Sequence, residues 1–154
     1  MKIRKAEPRD ISTIEYLFRK LLDYLQRHGQ NSYSKDVRKF RNGIHDFLDW
    51  KVRHEDSLVL VTVNDEDEAT GFLIGGLRQL EPFFEYVMLA EIQWVYPFNT
   101  SVRQMEKEFE RWGMEKGAQA VSNFGTPGNI RVEKSFFHEG REKVWHYYIK
   151  PLER

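Results

Sequence analysis

The junction between a strand-like segment and a helix-like segment most constrains how this chain can fold. Residues 86–95 are largely apolar and lead into Pro97, which cannot continue a strand interior. A helical pattern then runs from Ser101 to Gly117. The first N–H groups of a helix lack partners within it and lie at the positive end of its dipole. The sequence therefore predicts an anion site at the start of helix 101–116, just beyond the strand.

The predicted helix of residues 101–116 is amphipathic. Its apolar residues are Val102, Met105, Phe109 and Trp112, and charged residues fill the other face. Ser101 and Gln104 have the spacing of a capping box, and Gly117 is a natural end for the helix. We expect the apolar residues to form a core-facing stripe. Any binding role in this segment then falls to its backbone.

Two further helices are predicted before this junction. Asp10 should cap the first, whose apolar stripe is Ile11, Ile14, Leu17, Leu21 and Leu25. The second should begin at Ser34 and direct Val37, Phe40, Ile44, Phe47 and Leu48 inward. Its other face is basic, with Lys35, Arg38, Lys39, Arg41 and Lys51. We expect that face to be a solvated surface, with a docking patch for an acidic partner as the alternative.

The remaining segments predict the strands of one sheet. Strand patterns lie at residues 57–63, 69–77, 86–95, 118–121 and 143–150, and a short helix pattern lies at 129–137. This order favours one α/β (α+β) domain over residues 1–154, in which helices flank a mixed sheet. Helix 101–116 should bridge two parallel strands, and we expect these to splay and open a groove above it.

Composition excludes several classes of protein. The chain has no cysteine, which rules out disulfides, thiolate metal sites and a cysteine nucleophile. Its histidines are too dispersed to indicate a metal site, and its zero formal net charge gives no strong attraction to nucleic acid. No apolar run has the length that a bilayer requires, so we expect a cytoplasmic protein without membrane contact. Charge is nevertheless segregated: residues 57–98 hold seven acids and a single basic residue, Arg78.

Three segments together resemble a known family. Residues 109–118 read Phe-Glu-Arg-Trp-Gly-Met-Glu-Lys-Gly-Ala, residues 3–10 form a strand followed by a helix start, and Asn129 stands eleven residues before Gly140. In their order along the chain, these segments resemble the GNAT superfamily of acyltransferases, especially its small phage and bacterial members. The resemblance covers nearly the whole chain. It implies an acyl-CoA-dependent N-acyltransferase whose cosubstrate is acetyl-CoA.

The resemblance also implies where the cofactor binds. The strand backbone should line the pantetheine, and the start of the following helix should hold the pyrophosphate. The implied contacts are Gln93, Trp94, Val95, Asn99, Thr100, Ser101, Val102, Arg103 and Asn129. Two features depart from the family. Its glycine-rich pyrophosphate loop is replaced by residues 98–104, which contain no glycine, and Phe136 stands where a catalytic Tyr is frequent. We therefore expect weak binding of acetyl-CoA.

Glu91 is the predicted general base. A carboxylate within an apolar strand costs free energy unless it is paired, solvated or shifted in pKa. Pairing with a basic neighbour in the sheet is therefore the alternative for this residue. Glu81 and Glu85 are candidates for attracting the acceptor amine, and a solvated loop is the alternative for both. Candidates for the missing acid are His138, His146, Tyr147 and Tyr148.

The acceptor is left open as a small-molecule or a protein amine, and a homodimer is also left open. A different class of function stays in view: a catalytically inactive binding or structural module with the same fold and a degenerate cofactor loop, of the kind found in phages.

Overall fold

The computed structural model of the chain describes residues 1–29, 33–123 and 150–152. Its elements are β1 (Lys2–Lys5), a short 3-10 turn (Pro8–Asp10), α1 (Ile11–Arg27), α2 (Val37–Arg53), β2 (Ser57–Val63), β3 (Ala69–Gln79), β4 (Met88–Tyr96), α3 (Ser101–Glu115) and β5 (Ala120–Asn123). The helix predicted at 129–137 and nearly all of the strand predicted at 143–150 lie outside the described residues. That one domain takes in all of residues 1–154 stays a prediction.

The described strands form one mixed sheet in the order β1-β2-β3-β4-β5. Neighbours from β1 to β4 pair antiparallel, whereas β4 and β5 pair parallel. The parallel register runs from Leu89 opposite Ala120 to Ile92 opposite Asn123. Helix α3 connects these two strands, as parallel pairing requires. The predicted mixed sheet flanked by helices, with its parallel pair, is confirmed.

Helices cover both faces of the sheet. The whole predicted stripe of α1 is buried and packs with α2 against one face. Helix α3 packs against the other face, where Met105 and Phe109 are fully buried. The backbones approach closely there: a Cβ added at Gly113 of α3 would stand 2.6 Å from Ala90 Cβ of β4. This contact brings the last turn of α3 directly against β4.

The polar contacts at the starts of the first two helices differ from the prediction. Asp10 does stand at the start of α1, but its carboxylate accepts from Glu7 N at 2.8 Å and from the Arg4 guanidinium instead of capping α1. Helix α2 begins at Val37, three residues later than predicted, because Asp36 Oδ1 accepts from Lys39 N at 3.1 Å.

Three side-chain or boundary predictions for the central elements are wrong. Val37 is exposed and does not face the core. Lys51 is buried and does not belong to the basic surface of α2, because the end of that helix packs onto the sheet. β4 begins at Met88, two residues later than predicted, because residues 80–87 form a hydrogen-bonded hairpin loop.

Candidate cofactor and acceptor site

β4 carries a register shift at its middle. Trp94 stands opposite Ile74 of β3, and Ile92 stands opposite Gly75, so Gln93 has no opposite residue on β3. An extra residue of this kind bends a strand and re-aims its side chains. The bulge lies inside the segment that the sequence assigned to the cofactor.

The bulge places Gln93 and Trp94 next to each other on the α1–α2 face of the sheet. Trp94 packs edge-on against Phe18 of α1, with ring centroids 5.1 Å apart. The Gln93 amide donates to Glu91 Oε1 at 3.3 Å, which puts Glu91 on this same face. Ile92 belongs to the core on the α3 side.

The edge of β4 after Ile92 is open in the described part of the chain. β5 pairs with β4 only as far as Ile92 opposite Asn123, and β4 continues to Tyr96. Among the described residues, no strand pairs with this edge of Gln93, Trp94 and Val95. Unpaired strand N–H and C=O groups can bind an extended ligand that carries amides of its own.

Asn99, which directly precedes the N-cap residue Thr100, binds the first turn of helix α3, where the sequence predicted Ser101 as the cap. Asn99 Oδ1 accepts from Ser101 N at 2.9 Å and also from the Ser101 hydroxyl, and Asn99 O accepts from Val102 N at 3.1 Å. Two N–H groups expected to bind an anion are thus engaged within the chain. The sequence signal for this cap is an Asn just before the helix, since Asn side chains accept from backbone two residues on.

Glu91 is buried and ion-paired. The residue is 7% exposed, and its Oε2 accepts from Arg78 Nη1 at 2.8 Å. Arg78 and Gln93 therefore bind separate oxygens of the carboxylate. The pairing with a basic neighbour, which the sequence left as an alternative, is present. The role of Glu91 as a base stays a prediction.

Two polar groups that sequence reasoning missed lie around this ion pair. Burial lowers the pKa of the Lys51 ammonium below its ordinary value, and the negative charge of Glu91 offsets only part of this lowering. Gly76 stands opposite Glu91 on β3, and a Cβ there would be 3.3 Å from Lys51 Nζ. On the other side, Ser122 of β5 is the parallel partner of Glu91, and its buried hydroxyl has no hydrogen-bond partner within the described ranges.

Comparison with known proteins identifies the fold. No family model and no curated protein matches the sequence, whereas solved structures do. The tetramutant of the BH1408 protein from Bacillus halodurans has a TM-score of 0.75 at 17% identity, over 99% of this chain and 100% of that one. Aminoglycoside N-acetyltransferase AAC(6')-Iy in complex with CoA gives 0.71 at 13% identity, over 99% and 100%. Aminoglycoside 6'-N-acetyltransferase AAC(6')-IG from Acinetobacter haemolyticus gives 0.73 at 14% identity, over 99% and 100%.

The chain has the GNAT fold. Within this fold, the bulge, the open edge of β4 and the start of α3 follow one another along a single path. The residues predicted to contact acetyl-CoA lie along it, except Asn129, which falls outside the described residues. Phe136 and the candidate acids His138, His146, Tyr147 and Tyr148 also fall outside them.

Glu81 and Glu85 lie at the other end of β4. Both are exposed in the hairpin loop of residues 80–87, which precedes the strand. The structure therefore does not gather all the predicted site residues into one cluster: it places these two where β4 begins, Glu91 near its middle, and the cofactor residues toward its end.

The described residues contain no group of three or more His, Asp or Glu side chains placed to hold a metal ion. In the same ranges, no helix has both the length and the apolar composition needed to cross a bilayer.

Proposed function

We propose that this chain is an acyl-CoA-dependent N-acetyltransferase, a GNAT member of the small phage and bacterial type. The observation that carries the proposal is the edge of β4 that no described strand pairs with, which leads from a bulge at Gln93 to the start of α3. Pantetheine is an extended chain with two amide groups, so it can add to this edge of residues 93–95 as a short strand does. Its phosphates then lie at the positive end of α3.

Asn99 is proposed to contribute to phosphate binding by its amide nitrogen. Its Oδ1 is used by Ser101, whereas an amide side chain also carries two N–H donors. An N–H donor supplied by a side chain makes up for part of what a glycine-free loop lacks, because glycine would otherwise let backbone N–H groups approach. Affinity should still be modest, since the N–H groups of Ser101 and Val102 are engaged.

The chemistry proposed is direct transfer of the acetyl group. The acceptor amine attacks the thioester carbonyl, a C–N bond forms, the C–S bond breaks, and coenzyme A leaves as the thiolate, which takes a proton from solvent. Glu91 accepts the amine proton through a bridging water. Each carboxylate oxygen has a second lone pair beyond those used by Arg78 and Gln93, so a water can still donate to Glu91.

An exchange at Asn99 tests cofactor binding. Asn99→Asp keeps the oxygen that caps α3 but replaces the amide N–H₂ with negative charge. We expect the melting temperature to be unchanged and acetyl-CoA affinity, measured by titration calorimetry, to fall at least tenfold, because losing a hydrogen bond to a charged group costs about 1.5–3 kcal/mol.

Asn64→Asp is the matched control. Asn64 also accepts backbone N–H groups with its Oδ1, from Glu66 and Glu68 in the turn between β2 and β3, so this variant adds the same charge elsewhere. Equal affinity in wild type, Asn99→Asp and Asn64→Asp would contradict the proposed phosphate site.

A second candidate is a GNAT-fold binding module without catalysis. The observation that favours it is the capping of Ser101 N–H by Asn99, which occupies the predicted anion site. Millimolar acetyl-CoA and millimolar coenzyme A that both fail to raise the melting temperature would support this candidate, because a ligand of the folded state stabilises it by mass action.

A further inference from the structure

Exposed aromatic side chains cluster at the hairpin loop of residues 80–87. Phe83 is 82% exposed and Tyr86 is 52% exposed. The rings of Phe83 and Phe84 stack with centroids 5.0 Å apart. Single exposed apolar residues are ordinary, but neighbouring aromatic rings at the tip of one loop are typical of an interaction site.

This loop has a defined backbone. Leu80 N donates to Val87 O at 2.7 Å, closing its base. Gln119 Oε1 accepts from Val87 N at 2.8 Å and from Met88 N at 3.1 Å, which ties the loop to the segment before β5. The exposed Phe83 and Tyr86 therefore belong to a loop whose base is held by hydrogen bonds. A rigid aromatic side chain loses little conformational entropy when a partner covers it.

The charged side chains of the loop itself are of one sign. Glu81 and Glu85 are both exposed within the loop, and residues 79–90 contain no Lys, Arg or His. A cationic side chain can pair with these carboxylates and also lie over an aromatic ring. The surface thus suits a basic partner.

The loop lies at the end of β4 from which an acceptor would approach. In the proposed function, the cofactor runs from the start of α3 to Gln93 and fills the carboxyl-terminal end of β4. The amino-terminal end, next to the loop, is left for the acceptor. Met88 lies three residues before Glu91, or roughly 10 Å at about 3.3 Å per residue. An acceptor bound at the loop could therefore extend a side chain toward Glu91.

We propose that loop 80–87 docks a basic, lysine-containing segment of a protein, and that this protein is the acceptor. The inference rests on the proposed function for the transfer step, but not for docking. An 82%-exposed ring projects from the surface and cannot enclose a small molecule, which needs a concave site. Aromatic anchors with a charged rim are instead typical of contacts between proteins. A twofold contact with a second copy through this loop would bring four carboxylates together, which opposes it.

The test measures binding with a ten-residue peptide of alternating Lys and Ala, and with a Glu-Ala peptide and spermidine as comparisons. We expect only the Lys-Ala peptide to bind. Its affinity should fall at least tenfold in Phe83→Ser and in the double variant Glu81→Gln/Glu85→Gln. The double variant Asp65→Asn/Glu66→Gln is the matched control, because it removes two exposed carboxylates from another hairpin turn, and it should bind as wild type does.

Three outcomes would overturn the proposal. Unchanged peptide affinity in the loop variants would remove the docking surface. Equally tight spermidine binding would point to a small polycation. A dimer that dissociates in Phe83→Ser, seen by light scattering, would assign the loop to a second copy. Peptide binding without acetyl-CoA binding would instead refute only the transfer reaction, and acetyl-CoA binding without peptide binding would refute only docking.

Discussion

The buried ion pair between Arg78 and Glu91 makes a quantitative prediction. Glu91 is 7% exposed, whereas the Arg78 side chain is 32% exposed, so water already solvates part of the guanidinium. Breaking a fully buried pair by removing one partner costs about 3–5 kcal/mol. Because Arg78 is partly solvated, Glu91→Gln should cost less, about 2–3 kcal/mol. At roughly 2–4 °C per kcal/mol for a chain of this size, the melting temperature should fall by roughly 4–12 °C.

A double-mutant cycle isolates the pair. Urea unfolding of wild type, Glu91→Gln, Arg78→Met and the double variant should give a coupling energy of about 1.5–3 kcal/mol, in the range of hydrogen bonds to charged groups. The slope of unfolding free energy against urea should stay constant across the four proteins. Additivity within about 0.5 kcal/mol would refute the inference that the pair stabilises the fold.

The same variants separate the structural role of Glu91 from a catalytic one. Arg78→Met leaves the carboxylate in place, whereas Glu91→Gln removes the proton acceptor. If Glu91 is the base, turnover per folded molecule should fall roughly 10²–10⁴-fold in Glu91→Gln and much less in Arg78→Met. Equal losses in the two variants would mean that Glu91 acts only through the ion pair.

Two further predictions concern stability. The guanidinium groups of their arginine partners hold the pKa of Asp67 at about 2 and lower the pKa of Asp10. The stabilisation of the fold by these two carboxylates is therefore present above about pH 4 and is lost as pH falls toward 2. Urea midpoints measured between pH 5 and 2.5 should fall less steeply in Asp67→Asn than in wild type, and an identical slope would contradict this. Gly113→Ala should lower the free energy of unfolding by about 1–3 kcal/mol, because the added Cβ would stand 2.6 Å from Ala90 Cβ. Adding Ala90→Gly should restore much of the urea midpoint, and no recovery would show that this contact does not set the packing.

Local spacing of apolar residues was enough to predict the elements around the site. The stripe of α1, the start of α3 at Ser101 and the end of β4 near Pro97 follow from patterns within about 15 residues. The parallel pairing of β4 with β5 follows from the order of the elements. Such patterns report which face of each element must be buried. They also set the order of elements, which left few ways to connect them.

Hydrogen-bonding choices at element ends were less predictable, because several polar residues compete for the same N–H groups. Asn99 and Ser101 both have side chains that can cap a helix, and the Asn99 oxygen takes the position. The start of α2 was decided in the same way, by Asp36 in place of Ser34. Local sequence patterns place such a boundary to within a few residues, but they do not show which side chain closes it.

The sequence by itself determined the order of elements, the junction between β4 and α3, and the presence of a carboxylate in an apolar strand. Only the tertiary structure decided what surrounds that carboxylate. Arg78 reaches Glu91 because of the register between β3 and β4, and Lys51 comes near it because the end of α2 packs on the sheet. These partners stand 13 and 40 residues away along the chain, where no local spacing links them, and burial strengthens charge interactions that water would otherwise screen.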